Sequence, residues 1–360
     1  MRGGVSLEHD IQCMQRAARS LPRRPRLAAH YCMPIDHRLK IVATRLTLVH
    51  VLAATLCAAT TAIAPVVAAA QPLALDKPDL RLQSKLEMLV RGFNGDVGIY
   101  VRHLKSGRTA AVRADELFPT ASMVKVPILI GTFDAVTKGR LRFDQMLTYR
   151  NSLRYQYDDA LSMPRDSAQI PLAKLALHMI TESDNTASLW LQGLVRGDTI
   201  NQWLHNHGFD STRVNSRVDG REAARAQFGW GQTTPREMAS LLVMIREGNV
   251  VSRAASEEMY RHLTRIYWNG EALSQLPPWV QAASKQGTVD KARSEVALVN
   301  APSGDFVFAI TTKNQRDTSY REDNEGYVLI RALSALLWRE FEPKHPFIPQ
   351  PDARRFKPPE

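Results

Sequence analysis

Apolar residues recur at helical spacing from Leu80 to Val90, at Leu82, Leu86, Leu89 and Val90, and Asp79 stands ahead of them as an N-cap. Asp96 to Leu104 (DVGIYVRHL) has the character of a strand. It ends on Lys105-Ser106-Gly107, a turn signal, so Arg108 to Arg113 is expected to pair back as a hairpin. Helical patterns follow at 122–137, 171–181, 184–194 and 235–247. Strand character returns at Val280–Val289, Ser294–Asn300 and Asp305–Thr312, with Pro302-Ser303-Gly304 as the last turn. A final amphipathic helix is expected from Gly326 to Phe341.

The order is therefore helix, two strands, many helices, three strands, helix. It predicts an α+β fold in which the N- and C-terminal strands form one antiparallel sheet flanked by helices. The middle block forms an all-helical lobe at about 135–275. Ligand sites in such folds tend to fall where the parts meet.

Residues 33–70 read as a signal peptide: Arg38, Lys40 and Arg45, an apolar run from Leu46 to Val67, then Ala68-Ala69-Ala70 before Gln71. His50, the repeated Thr and Pro65 argue against a permanent membrane span, so none is expected after cleavage. Residues 1–32 are Arg-rich and unpatterned, and Met33 follows them. They read as a start assigned too early or as a disordered extension. The working domain is then 71–345, and 346–360 is a Pro-rich tail. Secretion or periplasmic residence is the expected localisation. Cys13, Cys32 and Cys57 all lie in the removed part, so neither disulfide nor thiol chemistry is expected.

Net charge is +11, but removing nine of 47 Lys/Arg and three of 36 Asp/Glu with residues 1–70 leaves 38 against 33, a balance of +5. The signs are interspersed and no basic run alternates with aromatics, so nucleic acid is not an expected partner. A monomer is expected. His178, His205 and His207 lack metal-ligand spacing, and neither metal nor organic cofactor is implied. Trp190, Trp203, Trp230 and Trp279 are assigned to the core by default, with Trp230 near the site because it lies in a loop.

The chemistry lies in FPTASMVKVPIL at 118–129. Ser122 and Lys125 are three apart, so a helix places them on one side. A serine hydroxyl is a poor nucleophile until a base takes its proton. Apolar neighbours disfavour an ammonium group and fit Lys125 for that task. Pro119 is expected to start this helix, whose N-terminus would steady negative charge at Ser122. Two further strings follow in order: Ser183-Asp184-Asn185, and Lys285-Gln286-Gly287-Thr288.

S-x-x-K, S-D-N and a late K-T/S-G triplet, in that order, are the signature of serine β-lactamases and penicillin-binding proteins, and the third is matched here at Lys285 and Gly287. From about Leu80 to Phe341 the sequence resembles that penicillin-recognising family, and the class A β-lactamases within it. The resemblance implies an acyl-enzyme on Ser122 with a β-lactam or a cell-wall-derived small molecule as substrate. It implies that Ser183 relays a proton to the leaving group and that Asn185 binds the substrate amide. Lys285 would face the substrate carboxylate. The backbone N–H groups of Ser122 and Thr288 would form the oxyanion hole, and Gly287 would let the strand lie close.

Two departures qualify it. Gln286 stands where the triplet has Thr or Ser. The loop before Thr233-Thr234-Pro235, NSRVDGREAARAQFGWGQ, lacks the glutamate that activates water in class A enzymes. Its only carboxylates are Asp219 and Glu222. Arg217, Arg221 and Arg225 flank them and are expected to pair with them. Asp219 is the better placed as a water-activating base. Alternative readings are a D-Ala-D-Ala-type peptidase or esterase on the same fold, and a non-catalytic peptidoglycan- or protein-binding module.

Overall fold

The computed structural model describes residues 75–155 and 159–357. The assignments made for 1–32 and 33–70, with all three cysteines, lie outside the described residues. Among those described, no helix is long and apolar enough to cross a membrane.

The chain runs β1 (Lys77–Pro78), α1 (Leu80–Leu89), β2 (Asp96–His103), β3 (Arg108–Val112) and β4 (Phe118–Pro119), then a 3-10 turn (Ala121–Val124) leading into α2 (Lys125–Thr137). Next come β5 (Met146–Thr148), β6 (Gln169–Pro171), α3 (Leu172–Thr181), α4 (Asn185–Val195), α5 (Gly197–Asn206), β7 (Arg213–Val214), α6 (Glu222–Phe228) and β8 (Gly231–Thr233). The last part is α7 (Pro235–Glu247), α8 (Arg253–Leu263), β9 (Ala282–Val289), β10 (Ala292–Val299), β11 (Phe306–Lys313) and α9 (Glu325–Phe341).

The main sheet has the order β1-β3-β2-β11-β10-β9 and is antiparallel except for the β1–β3 pair. The N- and C-terminal strands thus join in one sheet, as their patterns predict. Its pleat sorts side chains onto two faces with period two. On β11, Phe306, Phe308 and Ile310 pack with Leu82, Leu86, Leu333 and Trp338 of the flanking helices α1 and α9. Val307 and Ala309 between them face the other core, built from the middle helices. Both faces are covered, so β10 is buried at every position. Its first half buries Arg293, Ser294 and Glu295, and only Val296 to Val299 form an apolar run.

Asp79 caps α1 by accepting from Arg81 N (3.1 Å) and Leu82 N (3.0 Å), as expected. The expected helix over 122–137 is corrected at its start. Pro119 belongs to β4, which pairs with β8 (Pro119 opposite Gln232), and Ser122 lies in the 3-10 turn. Proline fits this edge position because it has no N–H to lose. Trp190 and Trp203 are buried, but Trp279 is 61% exposed and lies edge-on to Trp338 at 6.0 Å.

Candidate active site

The three motif segments converge. Between β4 and α2 the chain reverses at Ala121, whose φ of 44° lies in a region L residues rarely occupy. Such backbone costs on the order of 1–3 kcal/mol and persists where surrounding structure holds it. The next residue is Ser122, and Lys125 is the first residue of α2. Lys125 is fully buried. Its Nζ lies 3.0 Å from Ser122 Oγ.

The second segment folds around the start of α4. Asp184 is the N-cap and accepts from Ala187 N at 2.6 Å. A second carboxylate, Asp159, accepts from Asn185 N (3.0 Å), Thr186 N (2.9 Å) and Thr186 Oγ1 (2.7 Å), consuming further free N–H groups of the helix end. Ser183 stands just outside the helix with φ 62°. That turn sends both its oxygens towards Lys125 Nζ, the carbonyl at 2.5 Å and the hydroxyl at 3.0 Å, while Asn185 Oδ1 is 2.7 Å away. Burial lowers the Lys125 pKa from 10.5 to about 7, against the opposing charges of Asp159 and Asp184. Burial also pushes the Asp184 carboxyl up.

The third segment is β9. A Cβ placed on Gly287 would fall 2.6 Å from Thr120 O and 2.8 Å from Ser122 N. Only glycine allows the strand this close, which accounts for its place in the triplet. Ser294 Oγ ties the contact, its one O–H shared between Thr120 O (3.1 Å) and Gly287 O (3.2 Å). Thr288 Oγ1 lies 3.1 Å from Tyr327 OH.

Lys285 departs from expectation. It is fully buried and is absent from the residues lining the cleft. Its Nζ is 3.0 Å from each of Ser183 Oγ, Gln286 O and Gln286 Oε1. Burial and the nearby Lys125 amine hold its pKa well below the usual lysine range. The side chain of Gln286, the residue that breaks the triplet, covers the amine that was expected to face the substrate.

Ser122 lies where two arms of a cleft meet, with volumes of about 840 and 790 Å³; Asn185, Thr288 and Tyr320 line both arms. In the second arm Trp230 meets Tyr155 edge-on at 5.1 Å, which places it at the site as anticipated. Asp219 is not brought there. It is exposed and lines neither arm, and Glu222 is exposed at the start of α6. The expected pairing with the arginines is also corrected. Arg217 donates to Leu189 O (3.0 Å) and Arg221 to Asn215 Oδ1 and Gln232 Oε1 (2.7 Å each). Arg217 thus ties the loop to α4 and Arg221 gathers the Asn215 and Gln232 amides, while Asp219 and Glu222 stay exposed.

Asp159, Arg265 and Trp268 line the first arm and were not singled out from the sequence. None sits in a motif, and only tertiary packing brings them there. His178 pairs with Glu182 at 3.0 Å and His207 stacks on Trp203 at 3.8 Å, so both serve local structure. Among the described residues no group of three or more His, Cys, Asp or Glu is arranged to hold a metal.

Comparison with known proteins places the chain in a family. Beta-lactamase VEB-1 of Pseudomonas aeruginosa is 22% identical over 275 residues, covering 72% of this chain and 90% of that protein. A beta-lactamase of Streptomyces fradiae is 25% identical over 287 residues, covering 78% and 92% respectively. The solved structure of PBP-A is 27% identical with a TM-score of 0.67, and the match covers 76% of this chain and 100% of that one. The model of the beta-lactamase enzyme family matches residues 81–341. By that match, which spans the sheet, the helical lobe and all three motifs, the chain belongs to the beta-lactamase enzyme family.

Proposed function

We propose that the chain is an exported serine hydrolase that opens β-lactams, or related cell-wall-derived amides and esters, through an ester on Ser122. The observation that carries this reading is the 3.0 Å contact between Lys125 Nζ and Ser122 Oγ, with the lysine fully buried. The uncharged amine takes the hydroxyl proton, and Oγ bonds to the substrate carbonyl carbon. The carbon–nitrogen bond then breaks. The leaving nitrogen takes a proton from Ser183 Oγ, which recovers one from Lys125 across 3.0 Å. The amides of Ser122 and Thr288 receive the developing oxyanion, and one such donor is worth about 10²–10³-fold in rate. Asn185 binds the substrate amide.

The hydrolytic step is less well furnished. The two carboxylates of the loop before β8 stand away from the cleft. This favours slow release of the ester, and a D-Ala-D-Ala-type peptidase trapped by penicillins is the second reading.

Mass spectrometry after exposure to a fluorescent penicillin tests both. An adduct on the Ser122 peptide is expected. Decay of that adduct with time identifies a β-lactamase, and persistence identifies the peptidase-like case. No adduct from any β-lactam or activated ester would overturn the proposal in favour of a binding module.

A further inference from the structure

We infer that the guanidinium of Arg265, and not the ammonium of Lys285, receives the carboxylate of an acylating substrate. The inference rests on the acyl-enzyme reading above and adds to it where the substrate's charge is held.

Lys285 has no free approach. Its three protein contacts at 3.0 Å use every donor direction an ammonium group has, and no part of the residue is exposed. One of those contacts is Gln286 Oε1. A Thr or Ser at this position could not lay an amide oxygen on the amine.

Arg265 is differently placed. Among the described residues it is the one Lys or Arg lining the arm that contains Ser122, Ser183 and Gln286. It is exposed, and it joins no ion pair among the described residues. The segment that carries it is fixed against the Ser183 turn: Tyr267 N donates to Thr181 O (2.9 Å) and Trp268 Nε1 to Glu182 O (2.7 Å). Arg265 is therefore a cation without an ion-pair partner among the described residues, on a braced mount, lining the arm that also holds the nucleophile. A planar guanidinium matches a carboxylate with two parallel N–H···O bonds. Gln286 lines the same arm and can offer its amide N–H groups to the same ligand as neutral donors.

The test compares benzylpenicillin with its methyl ester, which lacks the negative charge. In the whole chain, Arg265→Gln is expected to slow Ser122 acylation by the acid about tenfold to a hundredfold and to leave the ester's rate unchanged. Equal slowing of both, or no slowing of the acid, would overturn the inference. Gln286→Thr uncovers Lys285 and is expected to lessen the acid's dependence on Arg265; an undiminished dependence would remove the shielding part. Tryptophan fluorescence titrations of the Ser122→Ala chain with the same two ligands read the discrimination without acylation. There the acid should bind more tightly than the ester, and Arg265→Gln should abolish the difference. No difference to begin with also overturns the inference. A chain that binds selectively but is never acylated instead sinks the acyl-enzyme reading while sustaining the role of Arg265.

Discussion

The side-chain nitrogen of Lys125 lies 3.0 Å from Ser122 Oγ, behind the cleft that Ser122 lines, on a residue with no exposed surface. A charged amine in that position is costly and a neutral one is a base. Burial lowers its pKa to about 7, so acylation should rise with pH and level off above that value. Lys125→Met should lower the acylation rate by about 10²–10⁴-fold, the usual worth of a positioned base. Stopped-flow acylation across pH checks both statements. A rate independent of pH from 5 to 9 (about two units either side of the pKa) would sink them.

The same lysine couples stability to pH. Its folded pKa of about 7 lies below the 10.5 of a free lysine, so across that window the unfolded chain holds more protons than the folded one. Stability should therefore rise with pH through the window and reach its full value only at the alkaline end. Lys285 acts in the same direction. Thermal midpoints measured at about pH 7 and pH 9 should show the rise, and Lys125→Met should flatten part of it. A slope untouched by the substitution would assign the effect to other groups.

Gly287→Ala tests the close approach of β9. The new methyl would meet Thr120 O at 2.6 Å and Ser122 N at 2.8 Å, and both are backbone atoms. Neither can swing aside as a flexible side chain would. The strand must move away, costing about 1–3 kcal/mol and separating the amides of Ser122 and Thr288. Loss of acylation by at least about tenfold, with a lower denaturation midpoint, is the expected result. An active, fully stable variant would show that β9 need not lie so near.

What the sequence reveals of this site follows a rule. Ser122, Lys125, Ser183, Asn185, Lys285 and Gly287 are legible because their chemistry or close packing requires fixed residue types at fixed spacing. The sheet is legible because β2 and β11 carry strong apolar patterns, with turns at Gly107 and Gly304 whose φ values of 73° and 137° favour glycine. The start of α2 is not legible. Pro119 before an apolar run is compatible with a helix start or a sheet edge, and only its partner Gln232, more than a hundred residues away, decides for the edge. The burial of Lys285 is hidden for a similar reason: a lysine on a strand says nothing about the amide that covers it. Arg265 and Asp159 obey no local pattern at all.

Asp219→Asn should leave release of the acyl group unchanged. Asp219 is exposed, lines neither arm of the cleft, and exerts its charge on Arg196. A carboxylate cannot activate a water beside Ser122 from there. Time-resolved mass spectra of the adduct, native against variant, give the comparison. Slower release in the variant would mean that the loop reaches the cleft during turnover.

Asp159→Asn should separate two roles in one residue. Its carboxylate accepts three hydrogen bonds at the start of α4, from Asn185 N, Thr186 N and Thr186 Oγ1. An amide has one oxygen to offer them, so the helix end should loosen and stability fall by about 1–3 kcal/mol. The charge has a second effect. It raises the Lys125 pKa against the dominant pull of burial, so removing it should let that pKa fall below about 7. The acid limb of the acylation profile should then move to lower pH, while the plateau drops because a weaker base abstracts the proton less readily. Asp159→Glu keeps the charge and should leave the limb in place even if the longer side chain disturbs the helix end. A limb that stays fixed in Asp159→Asn while stability falls would confine Asp159 to capping and would locate the electrostatic support of Lys125 at Asp184 alone.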